Sequence, residues 1–337
     1  MVWFKFALCL AVIVFAGTKL AQYGDAIGEK TGLGRIWIGL VLLAAITSMP
    51  ELVTGITSAS VLVGLPDLAL GILFGSCSLN LVILALLDIL HHHTPVLTEA
   101  SSKHVASASW GILLIAIAAG SIIAGGKFSD LSLGRVGIPS IVIIIVYLLG
   151  MWWMFHRERS RQVLVVQATS SKYKEIPAKT VYLRFALAAV AVIAAGIWLS
   201  FIGDEIAGAT GWGATFVGSL FLAITTSAPE LVVTIAALRL GAVDMAIADI
   251  LGSNMFNIAI IAPVDLFYTQ GPILSSVSRS HLITAAVVVG MSLLVIAGLR
   301  FRQKRKTFVV ISWYALALIG LYIFGAYALF ASSTGFW

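Results

Sequence analysis

The sequence predicts an all-α integral membrane protein: ten transmembrane helices arranged as two inverted five-helix repeats, with broken helices 2, 3, 7 and 8 forming the core. Three observations carry that prediction. The 337-residue chain is 60% hydrophobic and 11% charged, with a mean hydropathy of +1.04, whereas soluble domains carry charge on about a quarter of their residues. Ten apolar runs are each long enough to cross a bilayer, which takes roughly 20 residues. The sequence also repeats itself once, half a chain apart.

The runs lie at about 2–22, 36–60, 66–90, 105–124, 136–155, 181–202, 214–238, 244–268, 282–299 and 307–331. Only helices and closed barrels satisfy their own backbone in lipid, and these runs lack the alternation of barrel strands, so each reads as a helix. The first run resembles a signal peptide in position and length, but Lys19 follows it and no small-x-small cleavage pattern stands out. It has a counterpart in the second half, which makes it a structural helix. A polar connection at 156–180, with Arg157, Arg159, Arg161, Lys172, Lys174 and Lys179, separates a first repeat, 1–155, from a second, 181–337. Cys9 and Cys77 both fall inside apolar runs and read as packing residues rather than a disulfide or a metal site.

A shift of 179 places Gly17 on Gly196, Gly24-Asp25 on Gly203-Asp204, Gly34 on Gly213, Gly39 on Gly218, and Ser48-x-Pro50-Glu51-Leu52-Val53 on Ser227-x-Pro229-Glu230-Leu231-Val232. A shift of 177 then pairs Asp67 with Asp244, Gly75-Ser76 with Gly252-Ser253, Asn80 with Asn257, Asp88 with Asp265, Pro95 with Pro272 and His104 with His281. Five spans is an odd number, so the second copy enters the membrane from the opposite side. Charge agrees. If loops after odd-numbered spans are cytoplasmic, they and their flanks hold all but four of the 21 Lys and Arg, the exceptions being Lys5, Lys127, Arg135 and Arg279. Both termini are then outside and the 156–180 loop is cytoplasmic. The cationic surplus is an orientation signal, with anionic lipid contact as its only implied partner and no nucleic acid.

Glu51 and Glu230 sit mid-span, where a charge costs about 2.5–3.5 kcal/mol on insertion scales and normally faces a cavity or a partner. Each follows a proline and is preceded, one helical turn back, by Thr47 and Ser48 or by Thr226 and Ser227, on the same helix face. Pro50 and Pro229 remove a backbone donor and clash with the carbonyl four residues back, so carbonyls nearby, including those of Ala44 and Ala223, are expected to turn toward the cavity. The next span of each half adds Ser76 and Asn80, or Ser253 and Asn257, at i and i+4, with Gly75 and Gly252 permitting close approach or a break. Every one of these groups is an oxygen donor. Hard cations such as Na⁺, Ca²⁺ and Mg²⁺ take such ligands, whereas zinc and copper favour Cys and His. The reading is one composite cation site between the halves, made by Ala44, Thr47, Ser48, Glu51, Ser76, Asn80, Ala223, Thr226, Ser227, Glu230, Ser253 and Asn257, with no resident cofactor.

The pairs Thr47-Ser48-x-Pro50-Glu51 with Gly75-Ser76-x-x-x-Asn80, and Thr226-Ser227-x-Pro229-Glu230 with Gly252-Ser253-Asn254-x-x-Asn257, resemble the two alpha repeats of the sodium/calcium exchanger branch of the calcium/cation antiporter superfamily. The resemblance implies a secondary active antiporter of the cell membrane with four cation positions. The two glutamates would bind Ca²⁺ in alternation with Na⁺, and the Thr-Ser hydroxyls and carbonyls would hold Na⁺ beside them. It also implies first and sixth spans that slide across a rigid remainder, in a short microbial-type member that works as a monomer. Four positions depart from the family pattern: Ile46 and Thr225 replace a glycine, Cys77 stands where asparagine is usual, and Asp249 stands one turn before Ser253 where asparagine is common.

Plainer readings stand beside these. The serines and asparagines also suit helix packing, and Asp249 also suits a half-helix N-terminus. Asp88 and Asp265, near span ends, read as interfacial and solvated. His91-His92-His93 lies in a wet loop that needs no metal, and His104 and His281 read as packing at span ends, with pH sensing as the rival. Trp37, Trp152, Trp153 and Tyr182 fit an interfacial belt. For function, the rivals to Na⁺/Ca²⁺ exchange are H⁺-coupled divalent exchange on the same fold and a cation channel. An intramembrane hydrolase lacks a positioned base and nucleophile.

Overall fold

The structure is a computed structural model that describes residues 2–60, 63–91, 94–125, 131–162, 173, 175–210, 223–308 and 310–333. The start of the seventh predicted span with Gly213 and Gly218, His92, His93, Lys127, Lys172 and Lys174 lie outside the described residues. The chain is an all-α, multi-pass membrane protein. Among the described residues eight helical stretches are long and apolar enough to cross a membrane, and a ninth arises if one bent pair counts as a single span.

In chain order the helices are α1 (Val2–Thr31), α2 and α3 (Gly34–Thr47 and Met49–Ala59, the bent pair), α4 (Pro66–Leu90), α5 (Val96–Glu99) and α6 (His104–Ala124). A minimal antiparallel hairpin, Ser132–Leu133 with Val136–Gly137, precedes α7 (Ile138–Gln162). Then follow α8 (Ala178–Thr210), α9 (Ala228–Arg239), α10 (Val243–Ala259), α11 (Ile261–Phe267), α12 (Ile273–Ser276), α13 (His281–Arg300) and α14 (Trp313–Ser333).

The breaks have local causes. Ser48 and Ser227 adopt almost the same kinked conformation (φ −86°, ψ 9° and φ −84°, ψ 7°), each two residues before a proline that forbids the straight helix. The α2–α3 bend is 40°. Within α2, residues Ile38–Leu43 wind as a π-helix, a form that recurs at functional sites. Helix α10 stops at Ala259 because Pro263 has no N–H and its ring clashes with the carbonyl four residues back. The position matching Pro263 is Leu86, and accordingly α4 runs unbroken for 25 residues. This corrects the expectation of a broken third helix: without an internal proline, Gly75 alone does not interrupt it.

At 1.5 Å per residue, α1 and α8 are about 45 and 50 Å long, more than the roughly 30 Å of hydrocarbon, so they tilt or project beyond it at their polar ends. They pack along each other and, with Ala228 at the start of α9, share a small apolar cluster in which Cys9 and Ile13 meet Leu199 and Ile202, while Leu20 of α1 and Val192 of α8 belong to the main core. Both cysteines are free and buried. In the main core α2 presses closely on α10. A Cβ at Gly39 would lie 2.3 Å from the Met245 carbonyl oxygen, and one at Gly252 would lie 2.4 Å from that of Leu40, so only glycine admits this approach.

Asp88 and Asp265 are fully buried, not solvated. Asp88 accepts hydrogen bonds from the backbone N–H of Val96 (3.0 Å) and Ser312 (2.9 Å), from the Ser312 hydroxyl (3.0 Å) and from the Tyr314 phenol. Asp265 accepts from the N–H of Ile273 (2.7 Å) and Gly137 (2.8 Å). The short helices α5 and α12 begin inside the protein with orphan donors, and these carboxylates satisfy them. The paired histidines make crossed contacts. His104 Nε2 lies 2.9 Å from Asp244 and His281 Nε2 lies 3.0 Å from Asp67, so each half's histidine meets the other half's aspartate.

Candidate cation site

Glu51 and Glu230 occupy the first turns of α3 and α9, just after the kinks, where the half-helix dipole favours a negative charge by about 0.3–1 kcal/mol. Both are fully buried, as are Thr47, Ser48, Ser76, Asn80, Thr226, Ser253 and Asn257. Ser227, Ala44 and Ala223 are almost fully so.

The hydrogen bonds cross between the two halves of the chain. Ser48 donates to Glu230 Oε1 at 3.1 Å, and its counterpart Ser227 donates to Glu51 Oε1 at 3.4 Å. The Thr47 and Ser253 hydroxyls lie 3.4 Å apart, and their counterparts on Thr226 and Ser76 lie 3.3 Å apart. Ser76 also donates to Glu51 Oε1 at 3.1 Å. The two chain segments even touch at equivalent positions, since the Asn254 amide donates to the Cys77 carbonyl at 3.2 Å.

One oxygen of each carboxylate has no partner. Glu51 Oε2, Glu230 Oε2 and Asp249 Oδ2 are buried without a hydrogen bond, and so are both amide atoms of Asn80 and of Asn257. An ionised carboxylate left uncompensated inside a protein costs several kcal/mol, and buried orphan polar atoms are uncommon in folded proteins. Such a set of oxygens demands a cation or protons. Among the described residues no three His, Cys, Asp or Glu side chains cluster to hold a metal by themselves, so hydroxyl and amide oxygens must complete any coordination shell. That donor set suits a hard cation.

The Ala44 and Ala223 carbonyls are not loosened as expected. Ala44 O accepts from Ser48 N (3.1 Å) and from the Thr47 hydroxyl (3.4 Å), and Ala223 O accepts from Ser227 N (3.0 Å) and the Thr226 hydroxyl (3.0 Å). The kink at each serine is sharp enough to spare the proline ring while keeping these bonds. Asn80 and Asn257 lie on the faces of α4 and α10 that carry Ser76 and Ser253.

Two further residues belong to the cluster. Asp249 is fully buried and its Oδ1 accepts from Thr47 at 3.5 Å, which makes it a third carboxylate facing this set rather than a helix cap. Its counterpart position holds Ile72, so the two halves differ here. Asn254 has an unpartnered Oδ1 beside its bond to Cys77. Its place next to Ser253 in the repeated motif was the signal for it.

Inner membrane protein YrbG of Escherichia coli (strain K12) is 26% identical to this chain over 272 residues, spanning 78% of the chain and 79% of that protein. Sodium/calcium exchanger MaX1 of Methanosarcina acetivorans is 34% identical over 108 residues, about 31% of the chain and 30% of that protein. Among solved structures the fold is similar to that of the sodium-calcium exchanger NCX_Mj soaked with Na⁺ and Sr²⁺, with a TM-score of 0.72 and 21% identity over 96% of this chain and 98% of that one. The family model described as "Sodium/calcium exchanger protein" matches residues 1–162 and 180–331. Two such matches, together spanning nearly the whole length on either side of the polar connection, establish that this chain belongs to the sodium/calcium exchanger protein family.

Proposed function

We infer that this family member exchanges Na⁺ for Ca²⁺ across the cell membrane by alternating access at the buried site, working as a monomer. The observation that carries the reading is the crossed pair of glutamates: Glu51 and Glu230 each bond a serine from the opposite half and each keep one oxygen unpartnered. In this reading Ca²⁺ takes those two oxygens with the Asn80 and Asn257 amides nearby. Na⁺ takes positions beside Thr47, Ser48, Ser76, Thr226, Ser227 and Ser253, and the carbonyls of Ala44 and Ala223 join once their hydroxyl partners rotate away. Two monovalent ions replacing one divalent ion conserve the local charge.

The reading takes ten spans in two inverted repeats, 1–155 and 181–337, joined by a cytoplasmic linker, 156–180, with both termini outside. Contacts far apart in sequence support those sides. Lys5 pairs with Glu205 at 3.1 Å, and His281 with Asp67, joining loops assigned outside. His104 pairs with Asp244, and Arg302 donates to the Ala100 carbonyl at 3.1 Å, joining loops assigned inside. The packing of α1 along α8, the most extensive between any two helices among the described residues, supports their moving as one unit over the rest.

Proton coupling is the second reading, and Asp249 favours it, because a third buried carboxylate can carry a proton in place of a metal charge. The test is ⁴⁵Ca²⁺ uptake into proteoliposomes under an imposed Na⁺ gradient with the pH gradient collapsed. Uptake that follows the Na⁺ gradient and saturates is the expected result. Uptake driven only by a pH gradient establishes the second reading, and unsaturable flux down the Ca²⁺ gradient alone points to a channel.

A further inference from the structure

Helices α1 and α8 meet the rest of the protein through glycines. A Cβ at Gly17 would lie 2.9 Å from Val232 of α9, those at Gly24 and Gly28 would lie 3.2 and 3.1 Å from Ile38 of α2, and one at Gly203 would lie 2.8 Å from Thr225. Small residues bring helices close without interlocking side chains, which is the kind of surface a shear movement needs. One polar contact interrupts it. Among the described residues Asp25–Arg35 is the one ion pair that joins α1 or α8 to another helix, since Lys5–Glu205 joins the two to each other.

The pair is two-pronged. Arg35 Nε donates to Asp25 Oδ1 at 2.6 Å and Nη2 donates to Oδ2 at 3.3 Å. Asp25 is only 3% exposed. Tyr173, from the polar connection that leads into α8, closes over it: the phenol donates to Asp25 Oδ2 at 3.2 Å and the backbone N–H to Glu29 Oε1 at 3.4 Å. Between the two partners the chain turns at Gly32 (φ +69°) and Gly34 (φ +77°), in the left-handed region open to glycine. The second copy of the sequence keeps Asp204, Gly211 and Gly213 at the matching positions but carries Ala214 where the first has Arg35. An alanine cannot pair with a carboxylate, so the sequence supplies this ion pair in one half only.

We propose that the Asp25–Arg35 pair, closed over by Tyr173, is a latch that holds α1 and α8 in the position seen here and opens each time they slide over α2 and α9. The proposal rests on the alternating-access reading above. Arg35 is fixed in the first turn of α2, so a slide along α1 carries Asp25 away from it, and a buried carboxylate stripped of its cation is unfavourable. With no matching arginine in the other half, the latch weights one access state over the other instead of both alike.

The test is pulsed electron paramagnetic resonance on the full-length protein in lipid nanodiscs, without an ion gradient, with spin labels at T18C on α1 and S109C on α6. Both positions are exposed, and the native Cys9 and Cys77 are buried. The otherwise unaltered protein should show one dominant distance. D25N and R35Q should each shift the population at least about fivefold toward a second distance, Y173F should shift it less, and D25N/R35Q should shift it no further than either single change. An unchanged thermal unfolding profile checks folding. If D25N does not fold, R35Q alters a side chain that is 46% exposed and carries the same comparison. Unchanged distances, mere broadening about the original distance, or additive shifts in the double variant would each overturn the latch. A shift in a protein that does not exchange Na⁺ for Ca²⁺ would keep the latch and remove the exchange reading, whereas unchanged distances in a protein that does exchange would remove the latch alone.

Discussion

The hydroxyl of Ser48 in the kink of the second span reaches Glu230 Oε1 at 3.1 Å, although 182 positions separate the two residues. With the reciprocal bond from Ser227 to Glu51, this ties each half's carboxylate to the other half's kink. Neither half alone assembles the candidate site.

Substitution of either glutamate should therefore disable exchange. E51Q and E230Q keep the size and a hydrogen-bond acceptor but remove the charge that balances a divalent ion. A hydrogen bond to a charged group is worth about 1.5–3 kcal/mol, so the loss should be at least about tenfold in Ca²⁺-dependent flux. Size-exclusion and membrane-insertion assays should be unchanged. Full flux in either variant would remove that residue from the proposed ligand set.

Asp249 should govern stoichiometry more than competence. D249N keeps an oxygen for the Thr47 hydroxyl and removes one buried charge, and the matched position in the other half already lacks an acid. The variant should still exchange Ca²⁺ while the charge moved per Ca²⁺ changes, as read from currents on solid-supported membranes alongside isotope flux. An identical ratio in both proteins would argue that Asp249 is a structural acid.

Gly196 on α8 lies against both prolines of the site. An added Cβ would come 2.6 Å from Pro50 and 3.2 Å from Pro229, and ring atoms cannot swing aside. G196A should slow exchange severalfold and cost about 1–3 kcal/mol of stability, while Ca²⁺ protection against heat unfolding stays measurable at similar concentrations. Normal turnover in G196A would count against movement of α8 over the kinks.

At the other end of α1, Asp25 is buried and bonds Arg35 at 2.6 Å and the Tyr173 phenol at 3.2 Å. Burial, reinforced by the Asp25 charge, pushes the Tyr173 phenol up to about 12, against an unfolded value near 10. The folded state then holds the proton more tightly, so this contribution is complete below about pH 10 and is lost as pH rises toward about 12. Stability of Y173F should fall less steeply than that of the parent protein over that window, as measured by thermal unfolding. Parallel curves would show that the phenol ionises as it does in the unfolded chain.

Much of the site was legible because the duplication marks it. Two copies of Ser-x-Pro-Glu and of Gly-Ser-x-x-x-Asn identify the oxygen-bearing residues without any coordinates, and the positions of Pro50 and Pro229 anticipate the kinks. The third span was misread because glycine permits a break without requiring one, and Leu86 stands where Pro263 interrupts the eighth span. Asp88 and Asp265 were misread for a related reason. A carboxylate near a span end looks solvated until one knows that α5 and α12 start inside the protein and need acceptors for their first N–H groups. The carbonyls of Ala44 and Ala223 were expected to be free, but a proline's effect depends on where the chain bends to relieve it.

Composition and hydrophobic run length alone determined that this chain is helical and lies in a membrane, since a lipid solvent leaves few ways to satisfy a backbone. The repeat determined which side chains come in matched pairs. Only the tertiary structure decided which groups meet: that Ser48 serves Glu230 rather than Glu51, that Asp249 faces Thr47, and that each histidine pairs with the opposite half's aspartate. Those contacts join residues well over a hundred positions apart, and their geometry depends on the kink angles and close glycine contacts of four packed helices, which no local pattern in a single helix encodes.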